Sequence, residues 1–274
     1  MIIAIIAIAI LLIALFCWWQ NNRLVITRVE YKNYKLPAGF NGFKMLHLSD
    51  LHNKTFGKGQ TRLLKKTHEI SPDIIFITGD LIDARHKLNI DAAMAYVLEA
   101  VKIAPVYFAA GNHEKKSNVY LELKKRLKEV NVTVLDDTYT FIERNKDALC
   151  LLGVKDPRFS SDEIFENNLK AIVDKSGGGF KILLSHRPEK LPLYSKLKVD
   201  LVFSGHAHGG QMRLPFIGGL FSPHQGVFPK YTSGLKKDAT TSLVISRGLG
   251  NSLFPLRVFN YPDLVVVTFK KDNQ

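Results

Sequence analysis

The chain has 274 residues, 46% hydrophobic and 23% charged, with a formal net charge of +13. This balance is ordinary for one large globular domain and excludes a disordered, collagen-like or coiled-coil state for the whole chain. Two cysteines, Cys17 and Cys150, are too few for a disulfide scaffold or a cysteine-built zinc module. The basic excess favours an anionic partner without choosing between nucleic acid, acidic membrane and phosphorylated substrate.

Residues 1–22 stand apart from the rest. The run from Ile2 to Trp19 carries no charge and is apolar all round. At ~1.5 Å per residue it reaches about 27 Å, just short of the ~30 Å hydrocarbon core of a bilayer. Trp18 and Trp19 close it, where indole prefers the lipid–water boundary. No basic residue precedes the run, and Phe16-Cys17-Trp18-Trp19 is a poor cleavage site, so an uncleaved membrane anchor is expected rather than a signal peptide. Arg23, Arg28, Lys32 and Lys35 follow. The positive-inside tendency places that side in the cytoplasm, although a single span before a large domain obeys it loosely and the extracytoplasmic side stays open.

Residues 23–274 read as one catalytic domain of alternating strands and helices. Strands are expected over Leu24–Tyr34, Lys44–Ser49, Asp73–Thr78 and Val106–Ala110. Helices are expected over Lys58–Ile70 and Asn89–Ile103, and a third capped by Ser117, with Val119, Leu123, Leu127 and Val130 on one face. Further strands follow at Ala148–Val154, Phe180–Ser185, Leu201–Ser204, Ser242–Ser246 and Leu264–Phe269. Ser160 and Glu163 have capping-box spacing before a helix to Lys175. The alternation argues for α/β layers.

Five of these strands end in metal-ligand residue types. They are followed by Asp50-Leu51-His52, Gly79-Asp80, Gly111-Asn112-His113-Glu114, Ser185-His186 and Gly205-His206-Ala207-His208. Ligands gather beyond the carboxyl ends of strands in open α/β sheets, so distant parts of the chain can converge on one pocket. Each piece alone is commonplace; five in this order at five strand ends are not.

The order D-x-H, G-D-x-x-D, G-N-H-[DE], a lone H and G-H-x-H resembles the calcineurin-like metallophosphoesterases. The closest likeness is to the membrane-anchored bacterial phosphodiesterase branch. That branch continues the last motif as G-H-x-H-G-G-Q, here to Gln211, and carries R-G-L-G and P-x-R, here Arg247–Gly250 and Pro255–Arg257. The resemblance covers roughly residues 24–270 and implies a four-layer α/β/β/α sandwich, preceded here by one transmembrane helix. It implies one metal held by Asp50, His52 and His208, a second held by Asn112, His186 and His206, and Asp80 bridging them. A hydroxide between the two metals would attack phosphorus. The mixed donor set suits Mn, Fe, Zn or Co better than Mg or Ca. His113 would not be a ligand but a general acid or charge stabiliser at the leaving oxygen, oriented by Asp83.

Arg187, Arg213 and Arg257 are candidate phosphate-binding forks; Arg213 is favoured because it follows the metal loop. His47 is expected in the core, and His68, His86 and His224 are expected to stand outside the chemistry. Cys150 is expected to be buried and inert. The branch's usual Arg-Pro-Glu ending is replaced by Tyr261-Pro262-Asp263, which alters the expected pocket rim.

The expectation is therefore a membrane-anchored phosphohydrolase with two divalent metal ions, acting on phosphodiester or pyrophosphate bonds of a small-molecule, nucleotide-sugar or lipid-linked substrate. A phosphomonoesterase or phosphoprotein phosphatase is the alternative enzyme. A catalytically silent metal-binding scaffold is the alternative of another class. Nucleic-acid binding is not expected, because charge alone supports it.

Overall fold

The computed structural model describes residues 1–85, 89–251 and 254–272; His86 lies outside the described residues. Helix α1 (Ile2–Asn22) leads directly into strand β1 (Val25–Asn33). The strands that follow are β2 (Lys44–Leu48), β3 (Ile74–Thr78), β4 (Val106–Ala109), β5 (Thr133–Val134), β6 (Thr138–Arg144), β7 (Asp147–Gly153), β8 (Lys181–Leu184) and β9 (Leu201–Ser204). Four two-residue strands, β10 (Arg213–Leu214), β11 (Gly218–Gly219), β12 (Phe221–Ser222) and β13 (Gly226–Val227), build two small hairpins. Strands β14 (Gly234–Asp238), β15 (Thr241–Ile245) and β16 (Asp263–Lys271) complete the set. The remaining helices are α2 (Thr61–Ile70), α3 (Ile90–Ala100), α4 (Asn112–Lys116), α5 (Tyr120–Glu129), α6 (Asp162–Lys175) and α7 (Leu191–Lys196).

Two six-stranded sheets form, in the orders β1-β16-β2-β3-β4-β5 and β14-β15-β9-β8-β7-β6. Their inner faces share a core that includes Tyr31, Met45, Phe76, Leu151, Leu184, Phe203 and Val265. Helices α2, α3 and α5 cover the outer face of the first sheet through Leu63, Val97, Leu123 and Leu127. Helices α6 and α7 cover the second through Phe165, Leu169, Leu191 and Tyr194. The result is the expected four-layer α/β/β/α sandwich. Strands β3 and β9 are buried at every residue. That is why they read as unbroken apolar runs: a central parallel strand is covered on both faces.

The register decides where the chemistry sits. Strands β2, β3 and β4 run parallel, and β16 runs antiparallel to β2, pairing Val265 with His47. Strand β1 runs parallel to β16, pairing Val25 with Asp263. The carboxyl ends of β2–β4 therefore lie at the end of the sandwich from which α1 emerges. The second sheet delivers its strand ends to the same edge, since Arg247, just past β15, pairs with Asp263 at 3.2 Å.

Two caps differ from expectation. Ser161, not Ser160, caps α6 by accepting from the N–H of Ile164 at 3.2 Å; adjacent serines offer the same signal, and the backbone picked the second. Ser117 does not cap α5, whose N-cap position is Val119. It closes α4 instead, donating its hydroxyl to the carbonyl of Glu114 at 2.8 Å. The expected apolar face of α5 is present, with Leu123 and Leu127 fully buried.

Candidate metal centre

Each expected ligand follows a strand end that turns abruptly. Asp50, His52, Asp80, His206 and His208 all have φ between 46° and 64°. Left-handed backbone is unfavourable for residues with a Cβ and persists only where the surroundings impose it. Here the surroundings are the loops themselves. A Cβ on Gly205 would lie 1.8 Å from Ser49 Oγ and 2.3 Å from Asp50 Oδ2. Gly250 donates to the carbonyl of Asp50 at 2.6 Å, and Leu249 donates to that of Ser49 at 3.1 Å. The Arg247–Gly250 segment thus clamps the Asp50–His52 turn from outside.

The side chains converge as two groups. Asp50, His52, Asp80 and His208 form one; Asp80, His186 and His206 form the other; within each, the candidate ligand atoms lie within 4.8 Å of one another. Asp80 belongs to both. Its Oδ2 is 3.2 Å from His186 Nε2 and 3.6 Å from His52 Nε2. His208 Nε2 is 3.3 Å from Asp50 Oδ1 and 3.2 Å from His52 Nε2. His206 Nδ1 is 3.2 Å from His186 Nε2. All seven expected ligands are buried, counting Asn112, which opens α4.

The donor set fits cations. Burial holds the imidazoles of His52 and His208 at about 3 and pushes His206 well below its ordinary value. These rings are neutral at pH 7 and offer lone pairs. Burial would do the same to His186, but the Asp80 and Asp50 carboxylates overcome it and raise that ring to about 10. The two carboxylates thus draw positive charge to the spot between the groups. Asn112 Oδ1 is buried with no hydrogen-bond partner among the described residues, as befits an oxygen meant for a cation. His186 Nδ1 lies 2.7 Å from the carbonyl of Thr78. That carbonyl can only accept, which puts the ring proton on Nδ1 and leaves Nε2 free for ligation.

His113 stands beside this cluster. Its Nδ1 is 3.2 Å from Asp83 Oδ1 and accepts from the N–H of Ala84 at 3.1 Å. Its Nε2 is 4.0 Å from Asp80 Oδ2. When the ring is neutral, the Ala84 N–H requires a bare Nδ1, so the proton sits on Nε2. When it is cationic, Nδ1–H turns to Asp83 and Nε2 keeps its proton. Despite burial, which opposes it, hydrogen bonds from His113 and Arg85 hold the Asp83 carboxyl well below the carboxylate range.

Four residues without an assigned role prove central. Glu114 accepts from the backbone N–H groups of Asp80, Leu81 and Gly111, each at 2.8 Å. It thereby pins the Asp80 turn to the start of α4. Burial and the neighbouring Asp80 push its carboxyl up to about 7. Glu114→Ala leaves three buried donors unpaired at about 1–3 kcal/mol each. A thermal melt is expected to show a loss of several degrees or more, and an unchanged melt would contradict this role. Asp156 forms a two-point pair with Arg187, with Nη2 to Oδ1 at 3.0 Å. Asn260 donates to the carbonyls of His208 and Gln211 at 2.7 and 2.9 Å. His224 was expected outside the chemistry but lies within it: its Nδ1 is 2.9 Å from His206 Nε2 and 2.6 Å from Arg187 Nη1. It sits in a hairpin loop remote in sequence, so no local pattern could reveal it.

The arginines are held more firmly than free phosphate forks would be. Arg187 keeps only Nη1 toward the cluster. Arg213 donates to the carbonyl of Gly209 at 2.8 Å and to Thr232 Oγ1 at 3.2 Å. Arg257 is buried and donates to the carbonyls of Arg247, Gly250 and Asn260. His47 is a core residue, with Nε2 2.7 Å from Thr78 Oγ1, and His68 is exposed on α2. Cys150 is buried, and burial pushes its thiol up.

Comparison with known proteins agrees with this geometry. Residues 43–210 match the family model of the calcineurin-like phosphoesterases. The chain is 29% identical to an uncharacterised metallophosphoesterase of Bacillus subtilis, YkuE, over 93% of this chain and 88% of that one. It is 26% identical to the phosphodiesterase YaeI of Escherichia coli, over 82% and 81%. The crystal structure of TT1561 from Thermus thermophilus has the same fold, with a TM-score of 0.53 at 14% identity, covering 76% of this chain and 91% of that one. With its metal-ligand types gathered at the matched strand ends, the chain belongs to the calcineurin-like phosphoesterase family and is a metal-dependent phosphoesterase.

Proposed function

We propose that the chain is a membrane-anchored hydrolase of phosphodiester or pyrophosphate bonds that uses two divalent ions, drawn from Mn, Fe, Zn and Co. The observation that carries this reading is the position of Asp80, shared by both donor groups and within reach of His113. One ion would lie among Asp50, His52, Asp80 and His208, the other among Asp80, Asn112, His186 and His206. Ions so bound supply an attacking water of lowered pKa and neutralise charge on the phosphorus oxygens. The chain's own residues do the rest. His113 presents Nε2–H toward the leaving oxygen and donates the proton as the ester bond breaks. Asp83 then takes the Nδ1–H bond when the ring is cationic. Glu114 keeps Asp80 and His113 in one frame, since His113 also donates its backbone N–H to Asp80 Oδ1 at 2.8 Å.

The anchor is α1, whose apolar window is exposed throughout, with the domain on the cytoplasmic side. A lipid-linked or nucleotide-sugar substrate follows from a site held at the anchored end of the sandwich. Full-length protein is expected to stay with membranes through high-salt and alkaline-carbonate washes; release into the supernatant would show that α1 does not span. The activity is tested by assaying the Mn-loaded full-length protein on monoesters, diesters, nucleotide sugars and lipid pyrophosphates. Turnover of diesters or pyrophosphates above monoesters is expected, and preference for monoesters would overturn the assignment.

A further inference from the structure

We infer that the catalytic domain inserts a second, non-helical surface into the bilayer that α1 enters: the tips of the 212–228 hairpins together with the 254–259 loop. This rests on α1 being the anchor.

These tips are apolar and unpaired. Phe216 is 109% exposed, Val227 68% and Phe228 65%, with Ile217, Leu256 and Phe259 also exposed. Isolated apolar residues on a surface mean little, but a contiguous set marks an interaction site. The two segments are physically continuous. Met212 bridges Val258, and Arg213 donates its N–H to the Val258 carbonyl at 2.9 Å.

The occupant follows from what this surface touches. Phe259 packs edge-on against Phe16 of α1, ring centroids 5.9 Å apart. Tyr261 packs against Trp19 at 5.3 Å. Arg23 lies over both rings, 5.0 Å from Trp19 and 5.1 Å from Tyr261. If Trp18 and Trp19 mark the lipid–water boundary, Phe16 lies about 4.5 Å deeper along the helix. Phe259 lies at its level. Leu256 and Pro255 line a groove with Ile13, Ala14 and Cys17, deeper still. Only two residues, Arg23 and Leu24, separate α1 from β1, and Lys54 and Arg62 bind the carbonyls of Asn21 and Asn22. The domain cannot swing away from the span, so its apolar tips meet the same leaflet. The loop that carries them also carries His224, which touches His206, so the metal centre opens beside the lipid surface.

The test uses the full chain in nanodiscs whose lipids are brominated high on the acyl chains, with an environment-sensitive fluorophore on one cysteine at a time. Cys17 serves as the anchor reference. Phe216→Cys and Phe228→Cys, each with Cys17→Ser, report on the tips. Tyr34→Cys with Cys17→Ser reports on the far end of β1. Phe216→Cys and Phe228→Cys are expected to lose fluorescence to bromine as Cys17 does, while Tyr34→Cys stays bright. Quenching at Cys17 with bright, solvent-like tips would overturn the insertion and leave the anchor standing. A blue shift at the tips without quenching would mean that a second copy covers them and would equally overturn it. If Cys17 itself escapes quenching, the anchor reading falls and the insertion with it.

Discussion

Asp80→Asn is expected to leave a folded protein that binds fewer ions and turns over poorly. Asparagine keeps an oxygen for the His113 N–H but removes the charge shared by the two donor groups. Charge stabilisation by bound cations is worth several kcal/mol, so the loss in kcat should be about 10²–10³-fold. Metal analysis alongside a nitrophenyl diester assay checks it: wild type should hold about two ions per chain and the variant fewer. A variant with full metal content and full activity would refute the role given to Asp80.

His113→Ala separates metal binding from proton transfer. No ligand role falls on this ring, so metal content should stay at the wild-type level. General acid catalysis contributes typically ~10²–10⁴-fold, and the loss should lie in that range for substrates with poor leaving groups. It should shrink for nitrophenyl esters, whose leaving oxygen needs little protonation. Asp83→Asn should show a milder version, because the Ala84 N–H still selects the Nε2–H tautomer. Loss of a metal from His113→Ala would make the histidine a ligand. An equal loss on good and poor leaving groups would make it a stabiliser of phosphate charge rather than a proton donor.

The parts of this molecule readable from sequence are those where one physical cause acts locally. Strands β2, β3 and β9 are apolar because both faces are covered, and each halts at a polar ligand type because it reaches the edge of the sandwich there. Edge strands β6 and β14 escaped notice: one side faces solvent, so polar residues dilute the pattern, as in Thr138–Arg144. Helix α4 is only five residues long, too short for any periodicity. Glu114 was visible as part of a motif, but its role depends on backbone groups more than thirty positions away. His224 and Asn260 reach the site across loops, where spacing carries no information. The likeness between Tyr261-Pro262-Asp263 and its family counterpart was weakest where the structure gives that segment another task, stacking on Trp19 and pairing Asp263 with Arg247.

The left-handed turns at Asp50, His52, Asp80, His206 and His208 bear on how such a chain could drift. Each of these conformations costs about 1 kcal/mol or more for a residue with a side chain, and glycine would remove most of that cost wherever its lost hydrogen bonds could be spared. A lineage with no use for ions here would gain stability by abandoning these side chains one at a time. A protein that carries all five together is holding tension at its working edge, and that tension distinguishes a living catalyst from an inherited shell.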